Sequence, residues 1–275
     1  MSTRHSVAVD RGALAAETDG DPQRPALLLL HAGIATRRMW DPLIPALAER
    51  FFVIRYDTRG FGESTSQAVE FSNRADAIAV LDAVGVASAT LIGASRGGTI
   101  ALDTALEHPS RVRALVLIGS GPGGWDGAID PAEEAMLDAA DAAEEAGEWD
   151  RLFELELELW NIGPRRSRDD VDPAFLETAR ALGRSNRAAF EAQGQCIPVP
   201  LDPPAIGRLT EVAVPALVLA GEHDLSFVHD QQRLLAEHLP DVTAARIEAA
   251  AHLPSVERPD AVLEVLLSWL AEHAG

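Results

Sequence analysis

The sequence is short of cysteine, of basic charge and of long apolar runs, and each shortage removes possibilities. Cys196 is the single cysteine, so an intrachain disulfide and a cysteine-rich metal centre are excluded, and a reducing compartment suits the chain. Only 23 basic residues stand against 43 acidic ones, a formal net charge of −20. Binding to a phosphate backbone or an anionic membrane requires Lys and Arg to displace counterions, so neither nucleic acid nor membrane is an expected partner. The acidity reads as a solvated surface. The longest apolar stretch, ALLLLHAGI from Ala26, falls far short of a bilayer span. Residues 1–10, MSTRHSVAVD, lack the apolar segment of a secretory leader. The reading is therefore a cytoplasmic protein, with its oligomeric state left open.

What is present is the patterning of a globular α/β chain. Of 275 residues, 47% are hydrophobic and 24% charged, enough to bury a substantial core. Apolar runs of strand length, Ala26–His31, Phe52–Tyr56, Ala89–Gly93, Val112–Gly119, Ala216–Gly221 and Ala244–Glu248, alternate with segments of helical period. Their near-continuous Leu, Val and Ile content predicts strands covered on both faces. SVAVD and ALAAE near the N-terminus read as an antiparallel edge hairpin. Helices are predicted over Asp41–Glu49, Asn73–Val84, Ser95–Glu107, Val228–His238 and Pro259–His273. From about Trp125 to Pro204 the alternation stops, and an Ala-, Glu- and Arg-rich stretch predicts further helices, including Pro131–Ala146 and Pro173–Gln193.

The fold class expected is α/β: a mostly parallel, twisted central sheet of about eight strands with helices on both faces, and a helical cap inserted after the sixth strand. Residues 1–122 and 205–275 would form the core and 123–204 the cap. Trp125, Trp149, Phe153 and Trp160 hold much of the scarce aromatic content, and are candidates either to line a pocket or to pack the cap onto the core.

LIGASRGG, residues 91–98, places Ser95 between a strand and a helix. Flanking glycines let the chain turn sharply there and leave the hydroxyl exposed at the strand's carboxyl end. The Arg96 N–H at the helix start points where an oxyanion could form. A serine hydroxyl needs a base, and the base needs an orienting acid. Asp224, in GEHD after one strand, and His252, in AAHLPSVERP after the last, reach the same end of a parallel sheet, where ligands bind. Glu222 and Asp126 are alternatives for the acid.

Along nearly its whole length the chain resembles cap-bearing α/β-hydrolase fold proteins of the esterase and lactonase type. The resemblance is carried by HAG at 31–33, DTRGFGES at 57–64, GASRGG at 93–98, GEHD at 221–224 and AHLPSVERP at 251–259. It implies a catalytic triad of Ser95, Asp224 and His252. It also implies an oxyanion hole from the backbone N–H groups of Gly33 and Arg96, with Ile34 as the fallback for Gly33. Many relatives carry His-Gly where this chain has His31-Ala32, and Met or Gln where it has Arg96. A serine at 95 disfavours the branch whose nucleophile is aspartate.

Around these residues the reading is structural. His31 supports the oxyanion loop through hydrogen bonds and borders the pocket. GSGPGG at 119–124 precedes no helix and reads as the pocket mouth, not a dinucleotide loop. Asp57 and Arg59 could pair within their own loop. The spacing of Glu222, His223, Asp224, His229 and Asp230 matches no familiar metal pattern, so neither metal nor cofactor is expected. If the Arg96 side chain enters the pocket it could bind a substrate carboxylate, such as that of an enol-lactone or keto acid; otherwise it would form a salt bridge.

The function expected is hydrolysis of a small-molecule ester or lactone through an acyl-enzyme on Ser95. The same constellation serves carbon–carbon bond hydrolases and cofactor-free perhydrolases, and the fold also serves as a ligand receptor without turnover.

Overall fold

The computed structural model describes residues 2–192 and 196–274. Strands β1 (Thr3–Val9) and β2 (Gly12–Asp19) form the expected antiparallel hairpin. They are followed by β3 (Ala26–Leu30), β4 (Phe52–Tyr56), β5 (Ala89–Ala94), β6 (Val112–Ile118), β7 (Ala216–Gly221) and β8 (Val242–Ile247). The spatial order is β1-β2-β4-β3-β5-β6-β7-β8, and every pairing beyond β2–β4 is parallel. A two-residue strand, Thr65–Ser66, attaches to β2. From β3 the chain steps to β4 on one side and later to β5 on the other. The crevice at their carboxyl ends is where a parallel sheet presents its ligand site.

The helices are α1 (Ile44–Ala48), α2 (Asn73–Ala83), α3 (Arg96–Glu107), α4 (Pro131–Glu145), α5 (Trp149–Glu156), α6 (Pro173–Arg184), α7 (Arg187–Ala192), α8 (Ser226–His238), α9 (Pro254–Glu257) and α10 (Pro259–His273). Two differ from the sequence reading for visible reasons. Of the helix expected over Asp41–Glu49 only α1 forms, preceded by a short 3-10 turn at Arg37–Trp40. Pro42 and Pro45 lack N–H donors, so an α-helix can begin only where Pro45 falls in its first turn. The helix expected over Pro173–Gln193 breaks at Ser185–Asn186, because the buried Asn186 amide donates to Ala35 O at 3.2 Å and accepts from Gly62 N–H at 3.1 Å. Gln193 lies outside the described residues.

Alternation along β3 shows how the core forms. Leu27 and Leu29 pack with Leu47 of α1 and with Val262, Leu266 and Trp269 of α10. Leu28 and Leu30 face the other way, onto Val80 and Leu81 of α2 and Ile100 and Leu102 of α3. In α10 the buried positions 262, 266, 269 and 270 follow the i, i+4, i+7 spacing of one helical face. Each buried leucine contributes about 1.5–3 kcal/mol of transfer free energy.

The helical segment after β6 is tied to the loop after β8 by a buried ion pair. Arg166 Nη1 donates to Glu257 Oε1 at 2.8 Å, and Glu257 Oε2 accepts from Ala251 N–H at 2.8 Å. The same guanidinium donates to the Ile162 and Asn161 carbonyls. Removing one partner of such a pair strands the other's charge. Arg166→Met is therefore expected to lower the unfolding free energy by about 3 kcal/mol in urea titration. An unchanged midpoint would mean that solvent already screens the pair.

Candidate active site

Ser95 links β5 directly to α3 with φ 50° and ψ −121°, a region that costs a non-glycine residue about 1–3 kcal/mol. The strain is held from several sides. Ser95 N–H donates to Ile118 O at 2.8 Å, and Ser95 O accepts from Ser120 Oγ at 3.0 Å. A side chain at Gly97 would collide with the Leu30 and His31 carbonyls, and one at Gly93 with the Gly97 backbone. These contacts explain why glycine brackets the serine.

Asp224 follows β7 and His252 follows β8, and both are buried. His252 Nδ1 lies 2.9 Å from each Asp224 carboxylate oxygen, and Asp224 Oδ1 also accepts from Leu225 N–H at 2.9 Å. The second ring nitrogen, His252 Nε2, is buried and has no hydrogen-bond partner among the described residues. His252 N–H donates to Trp160 O at 3.1 Å, and the two rings lie 4.4 Å apart. Trp160 belongs to a π-helical turn, Leu157–Ile162, continuing α5.

Ser95 and His252 line two cavities. One, about 280 Å³, also includes Gly33, Ile34, Phe61, Arg96 and Trp160. The other, about 240 Å³, includes residues 119–124, Trp125 and Trp160, as expected of a pocket mouth. The Gly33 and Ile34 N–H groups make no hydrogen bond to protein among the described residues. The Arg96 N–H opens α3, where first-turn donors lack an intrahelical acceptor.

Other candidates fall elsewhere. Trp149 lines a neighbouring cavity with Phe61, Phe190 and Arg96. Phe153 is buried beside Gly183 and lines none of these cavities; it packs helix on helix because α5 turns that face inward. His31 is also fully buried and off the cavity walls. Its Nδ1–H donates to Ala32 O at 2.8 Å, while Nε2 accepts from Thr58 N–H at 3.0 Å. Burial pushes this imidazole down to about 4 against the opposing field of Asp57, so it shapes the loop as a neutral ring. Asp57 and Arg59 do not pair with each other: Asp57 binds Arg37, and Arg59 binds Asp76 at 2.7 Å.

Several cavity residues escaped the sequence reading. Phe61, inside DTRGFGES, lies under the Arg96 guanidinium at 4.6 Å. Phe190, Leu152, Glu144 and Glu156 complete the wall. Burial, with a contribution from Glu144, pushes the Glu156 carboxyl up to about 8. The folded protein therefore holds this proton where the unfolded chain, titrating near 4.5, has released it. Stability carried by the bound proton falls as pH rises through that window. Glu156→Gln should thus gain melting temperature relative to wild type between about pH 5 and pH 9. A constant difference between the two melting curves across that range would refute the assignment.

Known proteins resemble this chain in sequence and fold. The α/β-hydrolase fold family profile matches residues 25–259. A pimeloyl-acyl carrier protein methyl ester esterase from Aeromonas hydrophila subsp. hydrophila is 29% identical, covering 89% of this chain and 94% of the relative. The 3-oxoadipate enol-lactonase 2 of Acinetobacter baylyi is 26% identical, with 90% of each covered. The crystal structure of the enol-lactonase from Burkholderia xenovorans LB400 superposes with a TM-score of 0.78 at 24% identity, covering 98% of this chain and 100% of that one, which establishes the shared fold. The chain belongs to the α/β-hydrolase fold family and is a hydrolase.

Proposed function

We propose that the protein hydrolyses a small carboxylic ester or lactone through an acyl-enzyme on Ser95. The observation that carries this is the pairing of an Asp224-anchored His252 with an unpartnered Nε2 on the wall of the cavity that also holds Ser95. Asp224 fixes the tautomer with the proton on Nδ1, leaving Nε2 free to accept. His252 takes the Ser95 proton as Oγ attacks the carbonyl. The tetrahedral oxyanion is held by the N–H groups of Arg96 and Gly33, with Ile34 the alternative. Collapse expels the alcohol, which receives the proton from His252. Water, deprotonated by the same imidazole, then releases the acid and restores the serine. A lactone follows the same path, its alcohol and acid remaining in one product.

We read residues 123–204 as a cap over a core formed by 1–122 and 205–275. The names of the esterase and enol-lactonase relatives support acyl-oxygen cleavage as the chemistry. Neither metal nor cofactor has a step in it.

A fluorophosphonate probe is expected to label wild type and not Ser95→Ala. Hydrolysis of an activated acetate ester should fall by at least about 10⁴-fold in Ser95→Ala or His252→Ala. Folded protein that neither labels nor turns over would overturn the assignment of Ser95 as the nucleophile.

A further inference from the structure

Arginines in the interior of this chain follow a rule that Arg96 breaks. Arg37 is buried against Glu17 and Asp57, Arg55 against Glu17, Arg59 against Asp76, Arg74 against Glu107 and Arg166 against Glu257. Arg96 forms no ion pair among the described residues. Its Nη1 donates to Thr58 Oγ1 at 2.7 Å and its Nη2 to Asn73 Oδ1 at 3.2 Å, and the Phe61 ring lies beneath it. All three partners are neutral. A guanidinium carries five N–H donors in a planar fork, so part of its capacity is unspent.

An uncompensated charge in a partly dehydrated site is costly. Burial lowers the guanidinium to about 10, which still leaves it protonated at neutral pH. The cost is justified where an anion arrives from outside. Arg96 is placed for that: it follows Ser95 in sequence, lines both cavities that Ser95 and His252 share, and lines a larger chamber of about 410 Å³. Thr99, Gly123 and Gly124 border that chamber and one of the shared cavities alike, so the spaces adjoin across the guanidinium.

Charge elsewhere on the walls sets the direction. Glu144 and Glu156 occupy the cap side, where an anion would be repelled once Glu156 ionises. Asp103 borders the larger chamber but does not reach ion-pair distance of Arg96, and burial pushes its carboxyl up to about 6. Arg74 also borders the chamber, but its charge is met by Glu107 at 2.6 Å, and Ile100, Pro198, Val199, Leu201 and Pro204 make much of the remaining wall apolar.

We propose that Arg96 is a specificity-determining residue that binds a carboxylate carried by the substrate, so that the preferred substrates are esters or lactones bearing a free carboxylate a few bonds from the scissile carbonyl. This rests on the reading of Ser95 as the nucleophile. The carboxylate meets the unspent edge of the Arg96 fork while the scissile carbonyl sits over Ser95, and a charge-assisted hydrogen bond there is stronger than the neutral contacts that now hold the side chain.

The test compares p-nitrophenyl hemiglutarate with its neutral isostere p-nitrophenyl glutaramate, corrected for spontaneous hydrolysis. Wild type is expected to favour the anionic ester by about 30-fold in kcat/KM, and Arg96→Met to lose most of that preference, with Arg96→Lys intermediate. A wild-type ratio at or below one, or a ratio that Arg96→Met leaves unaltered, overturns the proposal. The wild-type ratio decides the matter even if Arg96→Met does not fold. Should neither ester be turned over, the reading of Ser95 as the nucleophile toward such esters falls separately. Calorimetry of free glutarate on wild type and Arg96→Lys then decides the anion site, which predicts binding weakened at least tenfold by Arg96→Lys and is refuted by equal affinity.

Discussion

The backbone at Ser95 is the constraint on which the site depends, because a strained conformation persists only where its surroundings leave no relaxed alternative. Here the surroundings are the parallel sheet itself. β6 supplies the Ile118 carbonyl that fixes the Ser95 N–H, and the chain just beyond it supplies the Ser120 hydroxyl that fixes the Ser95 carbonyl. The Leu30 carbonyl at the end of β3 and the His31 carbonyl just beyond it press against Gly97 from the opposite side. The turn is thus clamped by the strands on either side of β5, and relaxing it would require separating strands whose residues are buried on both faces. Core packing supplies the energy that holds the hydroxyl out of the sheet.

The imidazole is positioned by a different device. Asp224 restrains its ring, while its backbone N–H is held by Trp160 in the helical segment inserted between β6 and β7. Arg166 and Glu257 brace the same loop from both sequence regions. Displacing that segment would therefore remove restraints on the His252 loop as well as the cavity wall. Gly119 makes the arrangement possible: a Cβ there would lie 3.2 Å from both the Asp224 carboxylate and the His252 ring. Space for the Asp–His pair has been left by omission of a side chain at the end of β6.

What the sequence reveals is whatever local pattern controls. Strands buried on both faces read as apolar runs, and the turn at Ser95 reads from its glycines, since both requirements fall on neighbours in the chain. Asp224 and His252 were legible because the ends of parallel strands converge, whatever the details of packing. Pairings across distance were not. Asp57 and Arg59 lie close in sequence, yet Arg37 and Asp76 are the partners they meet in space. Nor could periodicity separate Trp160, on the cavity wall, from Phe153, buried beside Gly183: the change from α- to π-helical winding after Glu156 shifts which faces turn inward. Glu156 itself sits in ELELEL, whose alternation gives no sign that one of its acids faces a cavity.

Charge in this molecule operates on two scales. All 23 basic residues are arginine and lysine is absent, which suits an interior where a planar fork can engage carboxylates through several hydrogen bonds at once. The surplus of acid gives the chain its net charge of −20, yet exposed charges act weakly beyond about 8 Å at physiological ionic strength. A guanidinium stacked over Phe61 on the cavity wall is screened far less, because protein surroundings of low effective dielectric replace much of the water around it. An acidic protein can therefore present a cationic site to a small ligand: the distributed charge governs solubility and long-range encounter, whereas the free energy of recognition is set by the few groups that share the ligand's desolvated surroundings.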